Sequence, residues 1–297
     1  MPDPPRRLLI LGARGQVGLE LTHSLASLGQ VIGLDRADCD LTDLTRLPEI
    51  IRQHRPDVIV NAAAYTAVDR AESEPKLAHR INAEAPGVLA EVARQLDALL
   101  VHYSTDYVFD GTATRLIPET EPTNPLGVYG RTKLAGEEAI REVGGAALIV
   151  RTSWVYAAHG RNFLRTMLRL GDEREVLRVV DDQVGSPTSA PWLARATADL
   201  IGTALQNELA TPDLVHATCQ GETTWYGFAR AIFDHWPPAA LRELVPISTE
   251  AYPTPARRPA YSVLDTTKLQ EVYGVTPPHW TDALDALDLH QPGGGQD

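Results

Sequence analysis

The sequence predicts an α/β fold in which a doubly wound parallel sheet carries a smaller mixed α/β lobe. Short apolar runs alternate with helix-length amphipathic segments through the first half of the chain, as strands and crossover helices do. A glycine-rich segment directly follows the first apolar run, at the carboxyl end of a predicted strand, where such sheets bind ligands. After about residue 155 the pattern loosens, and proline-rich segments separate shorter elements.

Five apolar runs have the length and composition of buried strands: Leu8–Leu11, Val31–Leu34, Asp57–Val60, Leu99–Tyr103 and Ala147–Arg151. The helices between them are predicted at Val17–Leu28, Lys76–Leu96 and Arg131–Glu142. A later strand at Leu177–Asp182 and a helix at Leu193–Leu205 predict that the chain returns to the main sheet. We therefore expect a first domain over residues 1–155 with 175–216 returning to it, a second lobe from 156–174 and 217–289, and a flexible tail over 290–297.

The composition argues against several classes of protein. The 297 residues include 39 acidic and 27 basic side chains, and the resulting net charge of −12 disfavours nucleic-acid binding. Cys39 and Cys219 lie far apart and outside any Cys/His cluster, so neither a disulfide framework nor a zinc site is expected. No segment approaches the roughly 18 apolar residues of a membrane span, and the first apolar run is too short for a signal peptide. We therefore expect a cytoplasmic protein without a membrane partner.

The glycine-rich segment after the first strand has the spacing of a phosphate-binding turn. Gly12, Gly15 and Gly18 are three residues apart and open a helix, with Gln16 and Val17 between the last two. Glycine permits a tight turn and a close backbone approach, so that a pyrophosphate can sit on the amide groups of the helix N-terminus. An ordinary glycine-rich turn stays the alternative.

Residues after the second strand predict an adenosine site. Asp35 ends that strand, where its carboxylate would accept hydrogen bonds from a ribose and favour NAD. Either Arg36 or Arg14 could instead hold a 2′-phosphate, so NADH and NADPH both stay open. Asp40 and Leu41 would frame the adenine, unless Asp40 caps a helix.

Small side chains follow the third strand in the run Asn61–Thr66. Such a run suits a cofactor backbone that passes close to the protein, and the predicted contacts are Ala63, Ala64, Tyr65 and Thr66. A compact loop without a ligand is the alternative.

Three residues form a candidate catalytic set. Thr105 ends the fourth strand, and Tyr129 follows 24 residues later, four residues before Lys133. Residues at i and i+4 share one face of a helix, and a nearby ammonium brings the pKa of a phenol toward neutrality. The phenol can then protonate a carbonyl oxygen while hydride arrives at carbon.

At this point the sequence resembles the extended short-chain dehydrogenase/reductase superfamily, and within it the dTDP-4-dehydrorhamnose reductases. The similar segments cover nearly the whole chain in one order: LGARGQVG, NAAAYTAVDRAE, YSTDYVFDG, PLGVYGRTKLAGE, RTSWVY, DDQVGSPT, TTWYGFA and YPTPARRP. The resemblance implies a Rossmann-type fold, NADPH or NADH as cofactor, and a dTDP-sugar whose 4-keto group is reduced to give dTDP-L-rhamnose.

The resemblance also implies residue roles. Tyr129 would donate the proton, Lys133 would lower the pKa of that phenol and hold the nicotinamide ribose, and Thr105 would orient the acid. Asp106 would contact the sugar, and Tyr103 is assigned to the cofactor site. The related 4,6-dehydratases carry an acidic residue directly after that aspartate, whereas this chain has tyrosine, which disfavours dehydration.

Further positions on the substrate side carry open alternatives. Asn82 would help to order a relay water or be a helix-surface amide, and Trp154 would face the sugar or pack in the core. Val68 lies in the family's substrate-side segment. Arg258, beside Arg257 between prolines, would bind the diphosphate or form part of a solvated surface pair.

Some members of this family bind Mg²⁺ through acidic residues at a dimer contact. Glu20 would match one of these residues, but Pro191 and Arg195 stand where related sequences often place carboxylates. We assign no metal ligand, and both Mg²⁺ and a homodimer stay open. The alternative functions are another nucleotide-sugar 4-ketoreductase, an epimerase, or a cofactor-binding regulatory subunit of the methionine adenosyltransferase type.

Overall fold

The computed structural model describes residues 5–289, which form an α/β protein around one parallel sheet. The strands are β1 (Arg7–Leu11), β2 (Gln30–Leu34), β3 (Val58–Asn61), β4 (Leu99–Thr105), β5 (Ala147–Thr152), β6 (Val155–Tyr156), β7 (Val176–Val180), β8 (Val184–Gly185), β9 (Thr188–Ser189), β10 (Pro212–His216), β11 (Thr223–Thr224) and β12 (Glu243–Ile247). The main sheet has the order β10-β5-β4-β3-β1-β2, with every neighbouring pair parallel. The predicted fold class and the five predicted strands are confirmed.

Helices cover both faces of this sheet. They are α1 (Gln16–Ser24), α2 (Leu47–His54), α3 (Val68–Ala71), α4 (Pro75–His79), α5 (Ala85–Leu96), α6 (Val128–Val143), α7 (Phe163–Glu173), α8 (Ala190–Gln206), α9 (Trp225–His235), α10 (Thr267–Tyr273) and α11 (Trp280–Asp285). Successive strand residues point to opposite faces, so Leu8 and Ile10 pack with the α1 and α8 side, and Leu9 and Leu11 pack with α2, α5 and α6. Burial on both faces is the reason the strands are continuously apolar.

The second lobe has its own small sheet. The prediction that the strand near Leu177–Asp182 returns to the main sheet is wrong, because β7 pairs with β12 in a separate two-stranded sheet. Burial alternates along β7, as in a strand with one solvated face. The helix α8 and the strand β10 do return, since α8 packs against α1 and β10 pairs with β5. The tail predicted for residues 290–297 lies outside the described residues, and the exact domain limits stay a prediction.

The predicted long helix Lys76–Leu96 contains a widened turn. A π-turn over Arg80–Glu84 joins α4 to α5. Pro86 lacks an amide hydrogen, so it cannot donate to the carbonyl group of Asn82 four residues earlier, which favours a wider turn there. Helix α6 approaches that carbonyl through Gly136, where an added Cβ would lie 2.1 Å from the Asn82 oxygen.

Within residues 5–289, no helix combines the length and the apolar character needed to cross a bilayer. Both cysteines are buried as free thiols.

The close contact between Gly136 and the carbonyl oxygen of Asn82 can be tested by substitution. Gly136→Ala should lower the free energy of unfolding by about 1–3 kcal/mol, as overpacking does, although alanine is the better helix former. Gly202→Ala in α8 is the matched control, because an added Cβ there meets nothing within 4 Å. The control should gain about 0.5–1 kcal/mol in urea denaturation. Equal gains for both variants would contradict the close approach.

Candidate active site

A cleft of about 1020 Å³ lies at the carboxyl ends of the main-sheet strands. Most of the predicted site residues line this one cleft: Gly12, Gly15, Gln16, Val17, Asp35, Arg36, Asp40, Leu41, Ala63, Ala64, Thr66, Val68, Tyr103, Thr105, Asp106, Tyr129, Lys133 and Trp154. Gly18, Tyr65 and Arg258 do not line it. The fold thus brings the glycine-rich turn and the candidate catalytic set into one cavity.

Three segments of the backbone meet at the glycine-rich turn: the turn itself, the start of α1 and the loop after β3. Gly12 has φ +79°, and an added Cβ would lie 2.9 Å from the amide nitrogen of Ala63. An added Cβ on Gly18 would lie 2.0 Å from the oxygen of Gly12, so Gly18 serves helix packing beneath the turn. The amides of Gln16 and Val17, in the first turn of α1, are at the cleft and suit an anion.

Charged side chains surround the rim at the end of β2. Arg14 Nε lies 2.9 Å from Asp35 Oδ2, and Arg36 Nε lies 3.5 Å from Asp40 Oδ2. Backbone hydrogen bonds from Ala37 and Asp38, together with the charge of Arg14, lower the pKa of Asp35. Both guanidinium groups are largely exposed, with side-chain accessibilities of 86% and 79%, so either is available to a ligand phosphate.

Tyr65 contributes its backbone, not its ring, to the edge of the site. Its amide donates to Asn82 Oδ1 at 2.8 Å, and its carbonyl accepts from Asn82 Nδ2 at 3.1 Å. The hydroxyl of Tyr65 turns away to donate to Glu74 at 2.6 Å. Asn82 also donates to the Thr132 hydroxyl of α6 at 3.2 Å, so the π-turn ties the cleft wall to the helix of the catalytic set. This buried amide is not on the helix surface.

Tyr129 lies near the N-terminus of α6, partly buried at the floor of the cleft. Loss of contact with bulk water raises the pKa of its phenol to about 12, and hydrogen bonding by the Thr105 side chain partly offsets that rise. The nearby Asp106 carboxylate raises the pKa further. The expectation that Lys133 lowers this pKa toward neutrality is therefore wrong for the protein without cofactor, because burial dominates and Lys133 is not among the groups that shift it. At neutral pH the phenol holds its proton, as a general acid must before it reacts.

Lys133 is buried one turn further along α6. Its Nζ atom donates to the carbonyl oxygen of Tyr103 at 2.6 Å and lies 3.1 Å from Nε2 of His102. Burial lowers the pKa of Lys133 to about 8, although the charge of Glu137 raises it. The amine is thus held against β4, and its pKa lies closer to neutrality than that of an exposed lysine.

Asp106 and Tyr107 follow Thr105 in the 3₁₀ turn Asp106–Val108. The Thr105 hydroxyl donates to Asp106 Oδ1 at 3.1 Å, and burial raises the pKa of Asp106 to about 6. The rings of Tyr107 and Tyr129 meet edge to face, with centroids 5.6 Å apart. The residue that follows Asp106 is thus a tyrosine packed against Tyr129, not a carboxylic acid.

Sequence reasoning missed the groups that hold α6 in place. Glu137 lies one turn beyond Lys133 and binds the Arg151 guanidinium through two hydrogen bonds of 2.8 and 2.7 Å. The same carboxylate accepts from the Ser104 hydroxyl. Burial raises the pKa of Glu137, but Arg151 outweighs this effect and the pKa stays below its usual range. The only signal in the sequence was the spacing of Lys133 and Glu137 by four residues.

A second missed residue is Glu72, which follows α3. Its Oε1 accepts from the amide of Val128 at 2.7 Å, at the first residue of α6. Gly127, the preceding residue, has no side chain with which to cap the helix, so a carboxylate distant in sequence does so. Glu72 lies within the quoted segment NAAAYTAVDRAE, but nothing in that segment shows what it contacts.

Trp154 reaches the cleft in a strained conformation, with φ +46°. Its ring stacks on Trp225 with centroids 3.5 Å apart and an interplanar angle of 5°. An added Cβ on Gly185 would lie 2.5 Å from the Trp154 ring. One flat face of Trp154 is therefore covered by Trp225, and a sugar contact would use the part of the indole that lines the cleft.

Arg258 lies in a second cleft of about 750 Å³, which shares Trp225 with the first. Its guanidinium binds Asp69 through two hydrogen bonds of 3.0 and 2.8 Å. It also donates to Thr254 and to the carbonyl of Ala256. Arg258 is thus not a freely solvated side chain, and its pairing with Asp69 joins the second lobe to α3.

The acidic residue considered for Mg²⁺ has a partner in the chain. Glu20 Oε1 lies 3.0 Å from Nε2 of His159. Across the described part of the chain, no cluster of three or more histidine, cysteine or acidic side chains is arranged to hold a metal.

The cap that Glu72 forms on the first residue of α6 can also be tested by substitution. Glu72→Ala should cost about 1 kcal/mol of stability, as a lost helix cap does, and should reduce kcat about fivefold because Tyr129 is the next residue after the capped one. Glu72→Gln keeps a carbonyl oxygen acceptor and should retain most of both. The measurements are thermal unfolding and steady-state kinetics. An alanine variant that matches the glutamine variant in kcat would contradict the positioning role.

Comparison with known proteins gives one consistent result. The family described as RmlD substrate binding domain matches residues 6–289. A dTDP-4-dehydrorhamnose reductase of Burkholderia thailandensis is 50% identical over 287 residues, covering 94% of this chain and 96% of the relative. That of Salmonella typhimurium is 48% identical over 281 residues, covering 92% and 94%.

Solved structures agree with the sequence comparison. The crystal structure of dTDP-4-dehydrorhamnose reductase from Bacillus anthracis in complex with NADP matches with a TM-score of 0.88 and 36% identity, over 94% of this chain and 97% of that chain. A UDP-glucose 4-epimerase from Brucella ovis in complex with NAD matches with a TM-score of 0.76 over 94% and 96% of the two chains, but at 17% identity this likeness shows the fold alone. The chain therefore belongs to the dTDP-4-dehydrorhamnose reductase family within the extended short-chain dehydrogenases/reductases.

Proposed function

We propose that this protein reduces the 4-keto group of dTDP-4-dehydro-L-rhamnose with NADPH or NADH and yields dTDP-L-rhamnose. One observation carries the proposal: Thr105, Tyr129 and Lys133 line the same cleft as the glycine-rich turn, in a chain of this reductase family. Beside a dinucleotide site, a phenol can donate the proton that the reduced ketone needs, and a hydroxyl and an amine can orient and support it.

The residues of the cleft fit a nicotinamide dinucleotide. The close contact of Gly12 with Ala63 leaves space only for backbone there, and the amides of Gln16 and Val17 would hold the pyrophosphate. Asp35 would bind the adenosine ribose, or Arg14 a 2′-phosphate. When bound, the reduced nicotinamide supplies the hydride. The relative from Bacillus anthracis was crystallised with NADP, which supports this assignment.

Tyr129 acts as the proton donor in this proposal. Its high pKa keeps the phenol protonated, and the alkoxide formed from the ketone is a stronger base than a phenolate. Proton transfer from Oη to the sugar oxygen is therefore downhill once reduction begins. Thr105 would bind the same oxygen and orient it, and Lys133 would stabilise the phenolate that remains.

The substrate would extend from the first cleft into the second. Asp106, Val68 and the exposed part of Trp154 would surround the deoxy-sugar, and Trp225 lines both cavities. Arg258 would donate to the diphosphate from one edge of its guanidinium while Asp69 binds another edge. Arg258 is the only residue we assign to the diphosphate.

A cytoplasmic location and a homodimer stay predictions.

The first test is the loss of reduced nicotinamide absorbance with dTDP-4-dehydro-L-rhamnose, and identification of the product by NMR. Tyr129→Phe should lower kcat by about a hundredfold or more and leave cofactor binding nearly unchanged. Formation of a different sugar isomer would indicate another 4-ketoreductase. Turnover without net cofactor consumption would indicate an epimerase, and cofactor binding without turnover a regulatory subunit.

A second test concerns the 2′-phosphate. Arg14→Gln should raise the KM for NADPH about tenfold and the KM for NADH less than about twofold, because a charge-assisted hydrogen bond contributes about 1.5–3 kcal/mol. Arg36→Gln is the matched variant on the same rim. Whichever substitution changes the ratio of the two KM values identifies the phosphate ligand. An unchanged ratio in both variants would contradict a role for either arginine.

A further inference from the structure

A line of buried polar side chains lies behind Lys133, away from the cleft. Nζ of Lys133 is 3.1 Å from Nε2 of His102, and Nδ1 of His102 is 3.0 Å from Nδ2 of Asn61. Lys133, His102 and Asn61 have relative exposures of 2%, 1% and 1%. Buried donors and acceptors must find hydrogen-bonding partners, so the partners along this line determine which atoms carry protons.

The line begins at a group that can only donate. The backbone amide of Ala63 donates to the side chain of Asn61 at 3.2 Å, so the atom it meets is the oxygen, Oδ1. The other end of the Asn61 amide is then the NH₂ group, which donates to Nδ1 of His102. Nδ1 must therefore lack a proton. In a neutral imidazole the proton is then on Nε2, which faces Lys133.

An Nε2–H group facing Lys133 needs an acceptor. An ammonium has three donors and no lone pair, whereas a neutral amine can accept one hydrogen bond and still donate. The neutral amine would accept from His102 and donate to the carbonyl of Tyr103 at 2.6 Å. Every hydrogen bond along the line is satisfied when Lys133 is neutral. With Lys133 charged, two donors face each other.

We propose that His102 is a positioning residue for the reductase reaction, because its Nε2–H group stabilises neutral Lys133 and allows that lysine to release a proton in each turnover. This inference rests on the proposed function. After Tyr129 protonates the sugar oxygen, an N–H bond of Lys133 breaks and the O–H bond of Tyr129 forms again. Solvent water then returns a proton to the amine.

The surrounding charges agree with this assignment. Burial, and then the charge of Lys133, keep the pKa of His102 well below its usual value, so the imidazole stays neutral while the lysine titrates. Glu137 faces Lys133 from the next turn of α6, but Arg151 of β5 and Ser104 of β4 already bind its carboxylate. On the same two elements, Tyr129 stands one turn before Lys133 on α6, and Tyr103 follows His102 on β4.

The direct experiment measures the tautomer of His102 without cofactor or substrate. Protein labelled with ¹⁵N-histidine would be examined by NMR above the transition of Lys133, with His102→Gln used to assign the signal. We expect a proton on Nε2 and an unprotonated Nδ1. A proton on Nδ1 would overturn the proposal while leaving the reductase assignment intact, since that assignment is tested by turnover.

A second experiment reverses the direction of the hydrogen bonds that join residue 61, His102 and Lys133. In Asn61→Asp the new carboxylate would accept from Nδ1–H, so Nε2 would accept from the ammonium instead. The pKa of Lys133, followed by the ¹³Cε shift, should rise by about one unit or more, and kcat should fall more than the KM for cofactor changes. An unchanged pKa would overturn the proposal.

The control is His235→Gln, which replaces a histidine of α9 whose partner is Asp285 of α11 and which has no hydrogen bond to the line. This substitution should leave the pKa of Lys133 unchanged. A shift in this control equal to that in Asn61→Asp would show a general packing effect and overturn the specific role of His102.

Discussion

The ion pair between Glu137 and Arg151 is the constraint on which the site geometry depends. Both side chains are almost fully buried, and removing one partner of such a pair would leave an uncompensated charge in the core. The pair therefore joins α6 to β5, and the Ser104 hydroxyl adds β4. Tyr129, Lys133 and Glu137 follow one another at four-residue spacing on one face of α6. A helix held at Glu137 cannot rotate, so its other two residues stay directed at the strand ends.

Small residues allow α6 to come close enough for that arrangement. An added Cβ on Gly130 would lie 2.1 Å from the carbonyl oxygen of Tyr107, and one on Gly136 equally close to that of Asn82. The helix thus lies directly against both the end of β4 and the π-turn. Glu72 then holds its first turn. Two close backbone contacts and one side-chain cap leave little freedom for the phenol and the amine to move relative to each other, and preorganisation of this kind favours the transition state.

Burial shifts the pKa values of the two titratable groups of the candidate catalytic set in opposite directions. It raises the pKa of Tyr129 to about 12 and lowers that of Lys133 to about 8. The phenol therefore stays protonated at neutral pH, and the pKa of the lysine lies closer to neutrality than that of an exposed lysine. The Thr105 side chain partly offsets the rise at Tyr129, and His102 lies 3.1 Å from the amine of Lys133. One strand, β4, thus contacts both groups.

The sequence by itself determined the fold class, the five strands and the candidate residues of the cleft, because apolar runs, glycine spacing and the Tyr–Lys interval are local patterns. It did not reveal that β7 pairs with β12, that Arg258 is bound by Asp69, or that Trp225 covers Trp154. Those contacts join residues distant along the chain, and their side chains have no periodicity that distinguishes a partner from a solvated group. The tertiary structure alone decided which buried donor meets which acceptor, since that depends on how closely α6 packs on β4.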